Sequence, residues 1–265
     1  MQNSALHGKL CQVIINNWRA GVTKITLFLL SLILLAPRVA ETQTQDIQAL
    51  RIVTQAFEKA KKDETVRREA LVTNKTHLIE NLNADGKFES VEKEAVFRTY
   101  TRNNKLVEEL VSINPPNVDT PRNPVAFDKL LDAFLSRFYF LLSHEREEID
   151  GQRCYKIHFW PKENLPPESD QSDQVINRIA GIIYINEKTS MVLRINASLA
   201  QEISKSGFWT SYHADKLDLE ISFQEWHKLG LLKKITATAR YSYRIAIVTV
   251  QRYQTHTLYL GYETK

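Results

Sequence analysis

Ala180 to Leu199 reads AGIIYINEKTSMVLRINASL. It divides into an apolar run, a polar turn and a second run. In the second run Met191, Leu193, Ile195, Ala197 and Leu199 alternate with Val192, Arg194, Asn196 and Ser198. A period of two predicts a half-buried β-strand with one apolar side.

The same pattern extends in both directions. Downstream, Leu217, Leu219, Ile221 and Phe223 alternate with Asp218, Glu220, Ser222 and Gln224. Gly230 marks a turn after Trp226. Ile235, Ala237, Ala239, Tyr241 and Tyr243 then alternate with polar residues, and a β-branched and aromatic segment closes the pattern from Ile245 to Tyr259. Upstream, Arg68 to Leu82 and Phe88 to Thr101 flank Asp85-Gly86, and two further strands flank Asp150-Gly151; Asp-Gly between extended runs is a hairpin signal. The first of those strands runs from Arg137 to Ile149. The second places Tyr155, Ile157 and Phe159 on one face and ends at Pro161, which lacks a donor. Strands in series with short turns predict an antiparallel meander.

Two helices interrupt the strands. Asp46 to Lys61 carries Ile47, Leu50, Val53, Phe57 and Ala60 at helical spacing, with Asp46 as N-cap. Val125 to Leu135 carries Phe127, Leu130, Leu131, Phe134 and Leu135 behind Pro124. Asn114 to Pro124 holds four prolines and reads as an irregular loop, as does Lys162 to Gln174. Ser204 to His213 brings Phe208, Trp209 and Tyr212 together, either as a contact patch for a partner or as a buried loop anchor.

The chain has 265 residues, 43% of hydrophobic type, enough for a real core. Its net charge of +4 lies in the first 40 residues, which hold Lys9, Arg19, Lys24 and Arg38 and no acid. Removing those four from 35 Lys and Arg leaves 31, against 31 Asp and Glu, so the rest offers no general nucleic-acid surface. Ile25 to Ala36 (ITLFLLSLILLA) is short for a membrane span, which needs about 20 residues, and suits a signal-peptide core. Residues 1–40 are therefore expected to be a cleaved secretory signal ending at Ala40, or an uncleaved N-terminal anchor, with 41–265 as a single domain. Beyond the leader, Cys154 is the one cysteine, so no internal disulfide is expected. Cys154, Lys156 and His158 share a strand face; Cys154 is either a small strand side chain or a reactive thiol.

Catalytic motifs are missing. The sequence contains no G-x-S-x-G, phosphate loop, G-x-G-x-x-G or H-E-x-x-H. The histidines at 77, 144, 158, 213, 227 and 256 are scattered without zinc-site spacing, and Glu108-Glu109 and Glu147-Glu148 read as solvated faces. No catalysis, cofactor or metal is expected.

Several of these features occur together in a known group. Ile149-Asp150-Gly151-Gln152-Arg153-Cys154-Tyr155 and the hairpin marked by Gly181, Tyr184, Ile185, Asn186 and Arg194, behind a leader and an N-terminal helix, resemble the bacterial outer-membrane lipoprotein carrier superfamily, in particular its divergent lipoprotein-sorting members. The resemblance covers roughly residues 46 to 260. It implies an α+β, mainly β fold: a strongly curved antiparallel sheet, an incomplete β-barrel, with helices covering its concave face. It also implies a periplasmic carrier or binding protein for lipid acyl chains or lipoproteins. If the leader is retained, the protein would be anchored in the inner membrane facing the periplasm; otherwise membrane contact is transient. The strand faces of Met191, Leu193 and Ile195 and of Leu217, Leu219, Ile221 and Phe223 are the expected cavity lining, and the helices around Phe57 and Phe134 the expected lids. The alternative is that these faces form a packed core and that the fold binds an envelope protein.

Overall fold

The alternating runs build eleven strands in one antiparallel sheet. They are β1 (Leu71–Leu82), β2 (Phe88–Arg102), β3 (Lys105–Asn114), β4 (Phe138–Ile149), β5 (Gln152–Pro161), β6 (Ile179–Asn186), β7 (Val192–Leu199), β8 (Ile203–Ser206), β9 (Thr210–Trp226), β10 (Leu229–Ile245) and β11 (Val248–Thr264). The order is β3-β2-β1-β11-β10-β9-β7-β6-β5-β4, and β8 pairs the part of β9 that β7 leaves uncovered. Strands β3 and β4 are the two edges, so the sheet is curved but not closed into a barrel. The computed structural model describes residues 45–103, 105–116, 127–168, 171–207 and 210–265. The expected leader, most of the Pro-rich loop, and Phe208 and Trp209 lie outside the described residues.

The single meander expected from the sequence is two. One runs β1-β2-β3 and the other β4 to β11, and they join where β1 pairs β11 from Leu71↔Thr264 to Asn81↔Gln254. Strand β3, too mixed in polarity to register as a strand, extends the first. Extra residues bend the sheet by breaking the ladder on one side: Glu92 in β2, residues 143–145 in β4, Leu193 in β7, Asp215 in β9 and Lys233 in β10.

The bulge at Leu193 corrects the reading of the β6–β7 hairpin. Tyr184 pairs Arg194 and Ile185 pairs Val192, so Leu193 has no opposite number. The face therefore switches there. Val192, Ile195 and Ala197 enter the main core, whereas Met191 and Leu193 join a small outer cluster with Ile149, Cys154 and Tyr184.

Among the described residues, three helices accompany the sheet: α1 (Ile47–Ala70), α2 (Phe127–Arg137) and α3 (Gln171–Ile176). Asp46 caps α1 as expected: its Oδ1 accepts from the N–H groups of Gln48 (2.8 Å) and Ala49 (3.1 Å). Its other oxygen accepts from Leu142 N–H of β4 at 3.1 Å, which ties the helix start to the sheet edge. The helix runs nine residues past Lys61. That stretch, KDETVRREA, has no apolar stripe to betray it but is rich in helix formers and in i,i+3 and i,i+4 pairs: Lys59–Asp63, Glu64–Arg67 and Glu64–Arg68. At about 36 Å, α1 is as long as seven inter-strand spacings of about 4.8 Å, the span from β4 to β1. It packs on β4, β6, β7, β10, β1 and β2 in turn.

The core sits over one half of the sheet. Ala49, Val53, Ala56 and Phe57 of α1 and Phe134 of α2 pack on Phe138, Phe140, Ile157, Phe159, Ile183, Ile185 and Ile195. Phe134 stacks within 4.4 Å of Phe138 and 4.8 Å of Phe159, centroid to centroid. The helices thus cover the concave face over β4 to β9. On the far side of the sheet, α1 packs on β1 and β2.

Midway along, Asp63 pins α1 to β10. It is buried, at 6% exposure, and its Oδ2 accepts from Gly230 N–H at 2.7 Å while Lys59 Nζ donates to it at 2.9 Å. Asp63→Ala should lower the unfolding free energy in urea by roughly 2 to 3 kcal/mol, because it strands a buried donor and removes a charge-assisted bond. Asp63→Asn keeps an acceptor for Gly230 and should lose about half as much; equal losses would show that the Lys59 pair, not the Gly230 bond, holds the helix.

Candidate functional site

Where the packed core stops, a cavity begins. Its volume is about 490 Å³, and it lies between the later turns of α1 and the inner faces of β10, β11 and β1. Ala60 of α1, Phe223 of β9, Leu231, Leu232 and Ile235 of β10 and Leu258 and Leu260 of β11 give it apolar walls, with Leu106 of edge strand β3 at its outer end. The register explains the grouping: Ile221↔Ile235, Ile235↔Leu258 and Leu258↔His77 form one inward row across four strands. Pockets for small ligands are typically about 300–1,000 Å³, so this one is of ligand size.

The polar groups at the cavity are mostly satisfied among themselves. Glu64 accepts from Arg67 Nε at 2.6 Å and Arg68 Nε at 2.8 Å, and Arg67 also donates to Thr73 Oγ1 at 2.6 Å. Burial alone would raise the Glu64 carboxyl, but the bonds and charges of Arg67 and Arg68 outweigh it and hold the group below the ordinary carboxylate value. Lys75 pairs with Glu108 of β3 and lies over the Phe97 ring. Tyr262 is half-buried; desolvation pushes its phenol up, and it donates to Leu232 C=O at 2.5 Å. Thr99 Oγ1 is buried at the same site without a hydrogen-bond partner.

Further along the inner face the lining turns polar. His77 and His256 lie 6.1 Å apart, near buried Lys93. Buried Gln254 donates to Asn81 Oδ1 at 2.7 Å and to Glu92, and accepts from Tyr241. Burial lowers both histidines; His256 and Lys93 lower His77 further, and Glu92 partly offsets the shift of His256. No group of three or more His, Cys, Asp or Glu among the described residues could hold a metal ion.

Of the seven residues expected to line a cavity, Phe223 lines this one. Ile195 is in the packed core, and Leu217, Leu219 and Ile221 lean against it half-buried. Met191 and Leu193 are turned away by the bulge. Phe57 and Phe134, the expected lids, are core residues with rings 5.8 Å apart; the cavity is roofed instead by the polar end of α1. Tyr212 is 38% exposed and stacks near Tyr241 at 5.8 Å; its expected partners Phe208 and Trp209 are outside the described residues. The missed lining residues on β10 and β11 were visible as alternating strands, but nothing in their pattern says where helical cover ends. A second depression of about 450 Å³ lies on β6, β7, β9 and β10, lined by Ile182, Ala197 and Leu219, the last among the residues expected to line a cavity, together with Asn196, Asp218, Glu220 and Thr236.

Cys154 is fully buried, and its Sγ donates to Gln152 C=O at 3.3 Å. Burial pushes its thiol up to about 11, with Glu187 and Glu147 adding to the shift. The thiolate is thus disfavoured, the opposite of what a nucleophile needs.

No family model matches this chain, and no curated protein matches it. Among solved structures it is similar to a DUF1329 family protein from Desulfovibrio piger, at 11% identity over 79% of this chain and 91% of that one, with a TM-score of 0.32. It is also similar to MucB in complex with MucA(peri), at 8% identity over 80% and 94%, with a TM-score of 0.25.

Two outcomes follow from the titrating groups. A histidine whose folded value is depressed binds fewer protons folded than unfolded, so stability falls as pH drops below the unfolded value of about 6.5. The urea midpoint should decrease between about pH 7 and about pH 5, and His77→Gln with His256→Gln should flatten that decrease. Separately, Cys154 should resist alkylation at about pH 8 in the folded chain and react at once in denaturant; rapid labelling of the native protein would contradict its burial.

Proposed function

We propose that this chain is an exported, non-catalytic binding protein that holds the acyl chain of a lipid or lipidated protein in the cavity beneath the end of α1. The observation that carries this reading is the cavity itself: about 490 Å³ with walls of Phe223, Leu232, Ile235, Leu258 and Leu260, beside an aromatic core packed under the first half of α1. Burying a CH₂ group is worth about 0.8 kcal/mol, so a ~14-carbon chain gains up to about 11 kcal/mol. Export to the periplasm is supported by the basic and apolar leader. Among the described residues, no helix is long and apolar enough to cross a membrane.

A second reading has one specific observation in its favour. Edge strand β3 exposes Leu106, Leu110 and Val111, at 50%, 45% and 61%, beside an open row of backbone groups. Such an edge accepts an added strand from a protein partner. That would make the fold an envelope interaction module instead of a carrier.

Mass spectrometry of a solvent extract of protein purified without detergent should reveal lipid, and a fluorescent fatty acid should gain emission on binding. Ile235→Trp, which fills the cavity, should weaken that uptake by roughly tenfold or more. Absence of both lipid and uptake would remove the carrier reading and leave the β3 edge.

A further inference from the structure

The far end of the β10–β11 ribbon has a composition that neither turn geometry nor the core explains. Ile245 pairs Val248, leaving Ala246 and Ile247 as a two-residue turn. Ala246 sits at φ 54°, a left-handed conformation at home for Gly or Asn. Ile247 is 96% exposed, Ile245 61% and Val248 59%. A hairpin turn in water is ordinarily built from Gly, Asn or Asp; this one is Ile-Ala-Ile-Val.

The ribbon also projects. The last pair between β11 and β1 is Asn81↔Gln254 and the Tyr253 ring still meets Gly86 of the β1–β2 turn, so Val248 to Arg252 runs past β1 by about 17 Å at roughly 3.4 Å per residue. Register places Tyr212, Tyr243, Ile245, Val248 and Val250 on one face of this extension. Its exposed charges are all basic. Residues 203–207, 210–212 and 243–252 contain Lys205, Arg244 and Arg252 and no Asp or Glu. Of the flanking acids, Asp215 is paired with Arg240 at 2.7 Å, Glu202 lies 3.9 Å from His213, and Asp85 sits in the β1–β2 turn beside Tyr253, short of the tip.

We infer that this tip docks the protein onto an anionic lipid surface. The patch is on the order of a few hundred Å², whereas a stable protein interface buries about 800 Å² per partner. It is also a protruding end, which a second copy could bury only with a matching hollow. A bilayer interface makes neither demand. It takes aliphatic side chains below the headgroups, tyrosines at headgroup level and Lys or Arg against anionic phosphates. This inference does not rest on the cavity and stands if the cavity binds nothing.

The test uses the full chain with Cys11→Ser, so that Ile247→Cys is the reactive thiol while Cys154 stays buried. An environment-sensitive fluorophore at 247 is read on vesicles of phosphatidylcholine with and without phosphatidylglycerol. The expected result is a blue shift, and quenching by spin-labelled lipid, with the anionic vesicles. The same label at Ile47, which is 82% exposed at the other end of the domain core, should stay in water. Adding Arg244→Gln and Arg252→Gln should cut the shifted fraction several-fold. A label at 247 that stays water-exposed on vesicles, or one that shifts to the same extent at 47, overturns the proposal. So does a shift without lipid that grows with protein concentration, which would mean a second copy.

Discussion

One long helix has to cover a sheet ten strands wide, and it cannot cover all of it. Helix α1 lies across the strands, held at its start by Asp46 on β4, midway by Asp63 on β10, and at its end by Arg67 on Thr73 and Thr101 on the Arg68 carbonyl. Helix α2 adds Phe134 beside Phe57 on one side only. The aromatic core is therefore complete over β4 to β7 and thins out beyond β10. The thin side is what distinguishes this molecule from an ordinary sheet-and-helix sandwich.

The change in α1 from apolar to polar is the local cause. Up to Ala60 its inner face is Ala49, Val53, Ala56 and Phe57, which fills space against the sheet. From Asp63 onward the helix presents Glu64 and Arg67, whose charges satisfy one another and cannot fill the space over Ile235 and Leu258. A void between apolar strands and a self-paired polar roof is the outcome. Beyond it, Gln254, His77, His256 and Lys93 make the inner face polar, so the apolar lining has a definite far limit.

Much of this was legible in the residues. Alternation located β4 to β7 and β9 to β11, Asp-Gly marked two hairpins, and Asp46 was recognisable as a cap because its side chain serves the first turn. The bulge at Leu193 was not, because inserting one residue into a strand leaves the alternation on each side intact and reverses only their relation. The extra turns of α1 were hidden because they are stabilised by ion pairs rather than by an apolar stripe. The cavity was misplaced by two strands for a related reason: alternation reports which face is apolar, and says nothing of which stretch of that face a helix reaches.

The seam between β1 and β11 sets the order in which the molecule can be assembled. Asn74 and Glu263, hydrogen-bonded across it, are 189 positions apart in the chain. Contacts of such separation form late, since a long loop must close before they repay its entropy. As the chain emerges from its N-terminus, β1, β2 and β3 can pair with one another well before β11 exists. For that interval they form a small sheet with two open edges, the state in which strands from other molecules add on. A chain built this way depends on its last strand to seal its first, and so on being shielded while it waits.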